Sequence, residues 1–291
     1  MSDSDDLFTL RQHFFTGEYS DVIDISPADY TGAAAVTALE YRLRALIITG
    51  DYSTATSLLS SSSPDDTFKS AFEAYIALAQ GSDASSTFEQ LITDSKDASI
   101  VQILGSFYLI KAGRTEEAIK LLSRHEESLE AVLLLVQLYL SQGKLDAAEK
   151  EVSQASAYSH DSIIYNLAEA YVNSAKNGEN LRGSLYFFEE LSHGHPTFKT
   201  LIGELVLNLQ LHQWPEADEV LRKLGELQGT SADLVANEYA YANITGDHSV
   251  AKTKLEQLEE LAPEHPTLVD FKQKNELFDS VVEKYKDQVV N

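Results

Sequence analysis

The sequence predicts an all-α protein, an α-solenoid of stacked helical hairpins coiled as a right-handed superhelix and closed by a C-terminal capping helix. Three observations point there. A turn pattern recurs along the chain at near-constant spacing. The stretches between turns carry apolar residues at the helical period. Gly and Pro number only 14 and 6 in 291 residues, few for the many turns of an all-β chain, while long stretches rich in Ala, Leu, Glu and Lys favour helix.

The recurring pattern is a turn residue, usually Gly, an aromatic or apolar residue two positions on and a small residue five on. It reads Gly17-Glu18-Tyr19 with Val22, and Gly50-Asp51-Tyr52 with Ala55. It continues as Gly113 with Ala118, Gly143 with Leu145 and Ala148, and Gly246 with Ala251. His212 takes the Gly position before Trp214 and Ala217, and weaker copies sit at Gly81 with Ser86 and Gly178 with Gly183. The anchors 17, 50, 81, 113, 143, 178, 212 and 246 are separated by 33, 31, 32, 30, 35, 34 and 34 residues. This spacing resembles the tetratricopeptide repeat, a helix–turn–helix of about 34 residues.

Each position has a physical reason. Gly supplies the backbone freedom needed to leave the first helix, and the small residue lets the second helix approach it closely. The clearest copy spans 131–155. Val132, Leu135, Val136 and Tyr139 share one helical face, and Ala148, Val152 and Ala155 repeat the spacing after Gly143. One hairpin cannot bury either face alone, so neighbours must stack. Pro64, Pro196 and Pro263 fall where helix pairs end. The expected organisation is an acidic disordered segment at 1–6, about eight hairpins over 7–265 and a capping helix over 266–288. Phe271, Phe278, Val281, Val282 and Tyr285 form the apolar face of that helix. No domain boundary is visible. Ser60-Ser61-Ser62-Ser63-Pro64-Asp65-Asp66 reads as a polar loop between repeats.

Composition excludes several functions. The net charge is −24, from 22 basic and 46 acidic residues. Nucleic acid and anionic lipid both select basic surfaces, so no nucleic-acid partner is expected and any membrane contact is indirect. The absence of cysteine points to a reducing compartment and removes thiolate metal sites and thiol nucleophiles. The acidic start, Met1-Ser2-Asp3-Ser4-Asp5-Asp6, has no apolar signal core. The longest apolar stretch, Ala131 to Leu140, is interrupted by Gln137 and is far shorter than the roughly 20 residues of a spanning helix.

Catalytic and metal chemistry find little support. His193-Gly194-His195-Pro196 lacks a partnering carboxylate or third His at ligand spacing. His160-Asp161 and His265-Pro266 read as inter-repeat positions, and Glu189-Glu190 and Glu259-Glu260 as solvated outer faces. No phosphate-binding Gly-rich loop or nucleophile elbow occurs. Asn243-Ile244-Thr245 fits a glycosylation acceptor but falls in a repeat core. The expectation is a non-enzyme with no cofactor, metal or small-molecule substrate.

Partner binding fits better. By repeat register, Ile103, Phe107, Leu133, Leu140 and Tyr165 fall on the first-helix face lining the concave groove, with Gln137 and Glu169 as polar neighbours. An open groove of this kind suits a partner helix or hairpin; the same residues could instead complete hairpin packing. A carboxylate-clamping adaptor or chaperone cofactor is the alternative. It needs gathered cations on consecutive first helices, and Lys111 is isolated among the first helices from 100 to 140.

Three segments resemble the epsilon-subunit family of coatomer, the COPI vesicle coat. They are Leu7-Phe8-Thr9-Leu10-Arg11-Gln12-His13-Phe14-Phe15-Thr16-Gly17-Glu18-Tyr19; Leu167-Ala168-Glu169-Ala170-Tyr171-Val172 leading to Tyr186-Phe187-Phe188-Glu189-Glu190-Leu191 and Pro196-Thr197; and Phe278-Asp279-Ser280-Val281-Val282-Glu283-Lys284-Tyr285. The resemblance spans about 7 to 285 and weakens at 60–66 and 80–100, where the repeats are degenerate. It implies a non-catalytic coat subunit that binds the C-terminal region of the alpha subunit in Golgi-to-endoplasmic-reticulum and intra-Golgi transport. It further implies a cytoplasmic protein, peripheral on Golgi membranes and coated vesicles, recruited through the other subunits.

Overall fold

Eight inter-helix turns organise the protein, and all eight sequence anchors sit in the left-handed region of the backbone: Gly17, Gly50, Gly81, Gly113, Gly143, Gly178, Gly246 and His212, with φ between +56° and +94°. The structure is a computed structural model that describes residues 7–62, 64–159 and 161–286. The readings made on 1–6, Ser63, His160 and 287–288 lie outside these. Among the described residues there are seventeen α-helices and no strand.

Across the turns the helices pair in order. They are α1 (Phe8–Thr16) and α2 (Tyr19–Asp24); α3 (Gly32–Ile48) and α4 (Tyr52–Ser61); α5 (Asp66–Ala79) and α6 (Ser85–Asp94); α7 (Ser99–Lys111) and α8 (Thr115–Leu122); α9 (Leu129–Ser141) and α10 (Leu145–Ala155); α11 (Ile163–Lys176) and α12 (Asn180–Gly194); α13 (Phe198–Gln210) and α14 (Trp214–Glu226); α15 (Ala232–Thr245) and α16 (His248–Leu261). Helix α17 (Pro266–Tyr285) follows, with Pro266 in its first turn. The fold is the expected all-helical solenoid type.

Local chemistry explains the turns. In the Gly50-Asp51 and Gly246-Asp247 copies the glycine ends one helix and the aspartate caps the next. Asp51 accepts from the Thr54 amide and Asp247 from the Val250 amide, each at 3.1 Å. Ala55, Ala118, Ala148 and Ala217 are fully buried where paired helices meet. The two weak copies depart from the pattern. Ser86 and Gly183 are exposed, and Phe88 and Ser184 are buried in their helices instead, so packing has shifted register there. The serine run is also not wholly loop. Ser60 and Ser61 belong to α4, and Asp65 caps α5 through the Phe68 amide at 2.9 Å.

Contacts cluster the chain into two units, Met1–His195 and Pro196–Asn291, a division the sequence did not reveal. The first unit holds a continuous core running from Leu39 on α3 to Leu138 on α9. Its α1 packs against α11 as well as against α2 and α3. The second unit has two smaller cores. One is built on Leu201, Leu205, Val220 and Leu224, the other on Val235, Ala236, Leu258 and Leu268.

Candidate partner-binding surface

The seven groove positions divide by burial. Ile103 on α7 and Leu133 on α9 are 2% and 5% exposed. They are core side chains and present nothing to a partner, which corrects their assignment to an open groove. Ile103 lines the floor of a half-open pocket of about 270 Å³ together with Arg11, Glu40, Tyr41 and Glu130. Phe107 is half-buried, its ring centre 5.9 Å from that of Tyr75. Gln137 and Leu140 on α9, and Tyr165 and Glu169 on α11, keep exposed or half-buried surface on two helices packed side by side. Gln137 lies beside Tyr171 and Glu169 beside Tyr165. Burial, then the Glu169 charge, raises the Tyr165 phenol above its ordinary range, so it stays neutral.

A buried charge that sequence reasoning missed lies inside the first unit. Arg44 on α3 is buried, pairs with Glu130 at the start of α9, and lies 3.3 Å from Glu40 one turn back. Its guanidinium sits 4.7 Å from the Phe14 ring centre, 5.6 Å from Tyr41 and 5.8 Å from Phe107. Side chains from α1, α3, α7 and α9 therefore fill the inside of the first unit. The usable signal was an Arg and a Glu inside otherwise apolar helical faces.

Helix α17 departs from its expected capping role. Only Leu268 in its first turn is buried. Phe271, Leu277, Phe278, Val281, Val282 and Tyr285 are all exposed, Leu277 and Phe278 at 63% and 67%. Phe271, Phe278, Val282 and Tyr285 share one stripe by their spacing of 7, 4 and 3 residues. The apolar face was legible in the sequence; that the described residues of the second unit leave most of it exposed was not.

Other candidates resolve individually. Glu189, Glu190, Glu259 and Glu260 are exposed. Asn243 is exposed on α15, not in a core, and its amide donates to the Tyr239 carbonyl. Lys111 donates to the Leu78 carbonyl at 2.9 Å. His265 accepts from the Thr267 amide at the start of α17. His195 is not isolated: the partnering carboxylate and further histidine missing from the His193-Gly194-His195 segment arrive as Glu18 and His13.

A family model described as the coatomer epsilon subunit matches residues 3–286. The chain belongs to the coatomer epsilon-subunit family. A probable coatomer subunit epsilon from Schizosaccharomyces pombe is 27% identical, over 80% of this chain and 79% of its own length. The coatomer subunit epsilon of Saccharomyces cerevisiae is 23% identical over 96% and 98%. Solved structures agree on fold alone. A tetratricopeptide repeat protein from Parabacteroides merdae aligns with TM-score 0.60 at 15% identity, covering 80% of this chain and 95% of that one. A chain of the APC/C hetero-tetramer Cut9–Hcn1 aligns with TM-score 0.62 at 14% identity, covering 92% and 54%. Membership in the epsilon-subunit family makes this chain a COPI coat subunit that associates with other coat subunits. Among its described residues no helix is long and apolar enough to cross a membrane.

Proposed function

We infer that this epsilon-family chain is a non-catalytic scaffold that binds and stabilises the C-terminal region of the alpha coat subunit in Golgi-to-endoplasmic-reticulum and intra-Golgi transport. The observation that carries the reading is the exposed apolar stripe of α17. Five large apolar side chains between Leu277 and Tyr285 stand in water, and a contiguous patch of that kind marks an interaction surface. A helix face so patterned suits an apolar groove or a partner helix. In the first unit, Gln137, Leu140, Tyr165 and Glu169 supply a second, mixed polar and apolar contact.

The charge of −24 supports indirect membrane attachment, since an anionic leaflet repels it. The subunit then works on Golgi membranes and coated vesicles from the cytoplasmic side, carried there by its partners.

Co-expression with the alpha C-terminal fragment tests this. A stoichiometric complex that survives gel filtration is expected, and the double substitution Phe278→Asp with Val282→Asp should release the fragment while helicity stays at the wild-type level. Independent elution of two folded wild-type proteins would sink the reading.

A further inference from the structure

Three side chains from opposite ends of the first unit converge on one point. His13 lies in the last turn of α1, Glu18 at the start of α2, and His195 directly after α12. His13 Nδ1 is 2.6 Å from Glu18 Oε2, and His195 Nδ1 is 2.7 Å from the same oxygen. The two imidazole rings are 5.9 Å apart and nearly perpendicular. One donor atom from each residue lies within 4.8 Å of the other two. His195 and Glu18 are 177 residues apart in sequence, so local structure cannot account for the meeting.

Two imidazole nitrogens and one carboxylate oxygen form a ligand set that suits zinc, which takes His and Glu donors at about 2.0–2.2 Å with water in the remaining position. Tetrahedral donors at that radius are about 3.3 Å apart, so opening the present contacts by under an ångström would admit an ion. Calcium and magnesium prefer all-oxygen shells. A cleft of about 480 Å³, lined by Gln12, Asp161, His193 and His195 among others, opens beside the cluster and gives an ion and its water a way in. The strongly acidic surface concentrates cations around the protein.

We propose that His13, Glu18 and His195 form a three-ligand site for a divalent transition metal of the zinc type, which staples the α1–α2 turn to the end of α12. Such a metal ties the first and last helices of the first unit together, so it acts on the unit as a whole.

The full chain, stripped with chelator and dialysed, is titrated with zinc chloride by calorimetry and with cobalt chloride by visible absorption. The expected result is one zinc per chain, a higher unfolding temperature with zinc, and cobalt ligand-field bands; magnesium chloride should produce neither thermal shift nor bands. His195→Ala and Glu18→Gln should each weaken zinc binding by at least about tenfold, since loss of even a partner outside the ligand shell typically costs about 10–100-fold, while His193→Ala leaves it unchanged. Far-UV circular dichroism and the metal-free unfolding temperature establish that each variant is folded, and Glu18→Gln retains a hydrogen-bond acceptor for both imidazoles. The proposal is overturned if zinc gives no thermal shift with wild type, or if folded His195→Ala and Glu18→Gln bind it as wild type does.

Discussion

Arg44 and Glu130, 86 residues apart in the chain, form an ion pair inside the first unit, with side chains only 6% and 11% exposed. The pair joins α3 to α9, and the aromatic rings of Phe14, Tyr41 and Phe107 surround the guanidinium. Removing one partner strands the other charge. Glu130→Ala should therefore cost about 3 kcal/mol, at the low end for a broken buried pair because Glu40 still faces Arg44. Urea unfolding followed by circular dichroism measures it. The double replacement Arg44→Met with Glu130→Leu should cost less than Glu130→Ala alone, since the Arg44 charge is then no longer stranded.

Glu40 gives the first unit a specific pH response. Burial pushes its carboxyl from the ordinary 4.5 up to about 7, the Arg44 charge opposing and the Glu130 charge adding to the rise. The native protein thus holds this proton more tightly than the unfolded chain does. The stabilisation from Glu40 is complete below pH 4.5 and is lost as pH rises through about 7. Because 21% of the side chain still meets water, the effect should be about 1 kcal/mol. Wild type should lose that much relative to Glu40→Gln between the two limits, read from denaturation midpoints. Parallel midpoints for the two proteins across the range would contradict it.

Gly105 marks a close helix contact. A Cβ there would lie 3.1 Å from Leu121 Cδ2 on α8 and 3.2 Å from Ile92 Cγ1 on α6. Gly105→Ala should be close to neutral, because the helix-propensity gain of about 1 kcal/mol offsets a small shift of two flexible side chains. Gly105→Leu overpacks the site and should destabilise by about 1–3 kcal/mol. Thermal or chemical unfolding of both variants separates the outcomes.

Helix α17 should behave as two parts. Leu268 is fully buried in a core with Val235, Ala236 and Leu258, so Leu268→Ala should cost about 2–5 kcal/mol. Leu277→Ala, at a position 63% exposed, should stay within about 0.5 kcal/mol of wild type. Equal losses at both positions would mean that the far end of the helix is also packed.

The sequence by itself determined the hairpins and their turns. Both are local. The 3.6-residue period sets which residues share a helix face, and the left-handed backbone at Gly17, Gly50 and their counterparts demands a residue without a Cβ, or one such as His212 that tolerates the strain. Register failed where the code was weak, at Ser86 and Gly183, because a small residue there was not the one buried. The family was legible as well, through three segments that are more specific than the repeat.

What only the tertiary structure decided is which faces remain open. Periodicity assigns a side chain to a face but says nothing of what arrives there from a distant helix. Ile103 and Leu133 are covered, whereas Phe278 and Val282 stay in water because α17 buries only Leu268, in its first turn. Glu18 meets His195 for the same reason: their contact depends on how twelve helices stack, a sum of small rotations that no single repeat encodes.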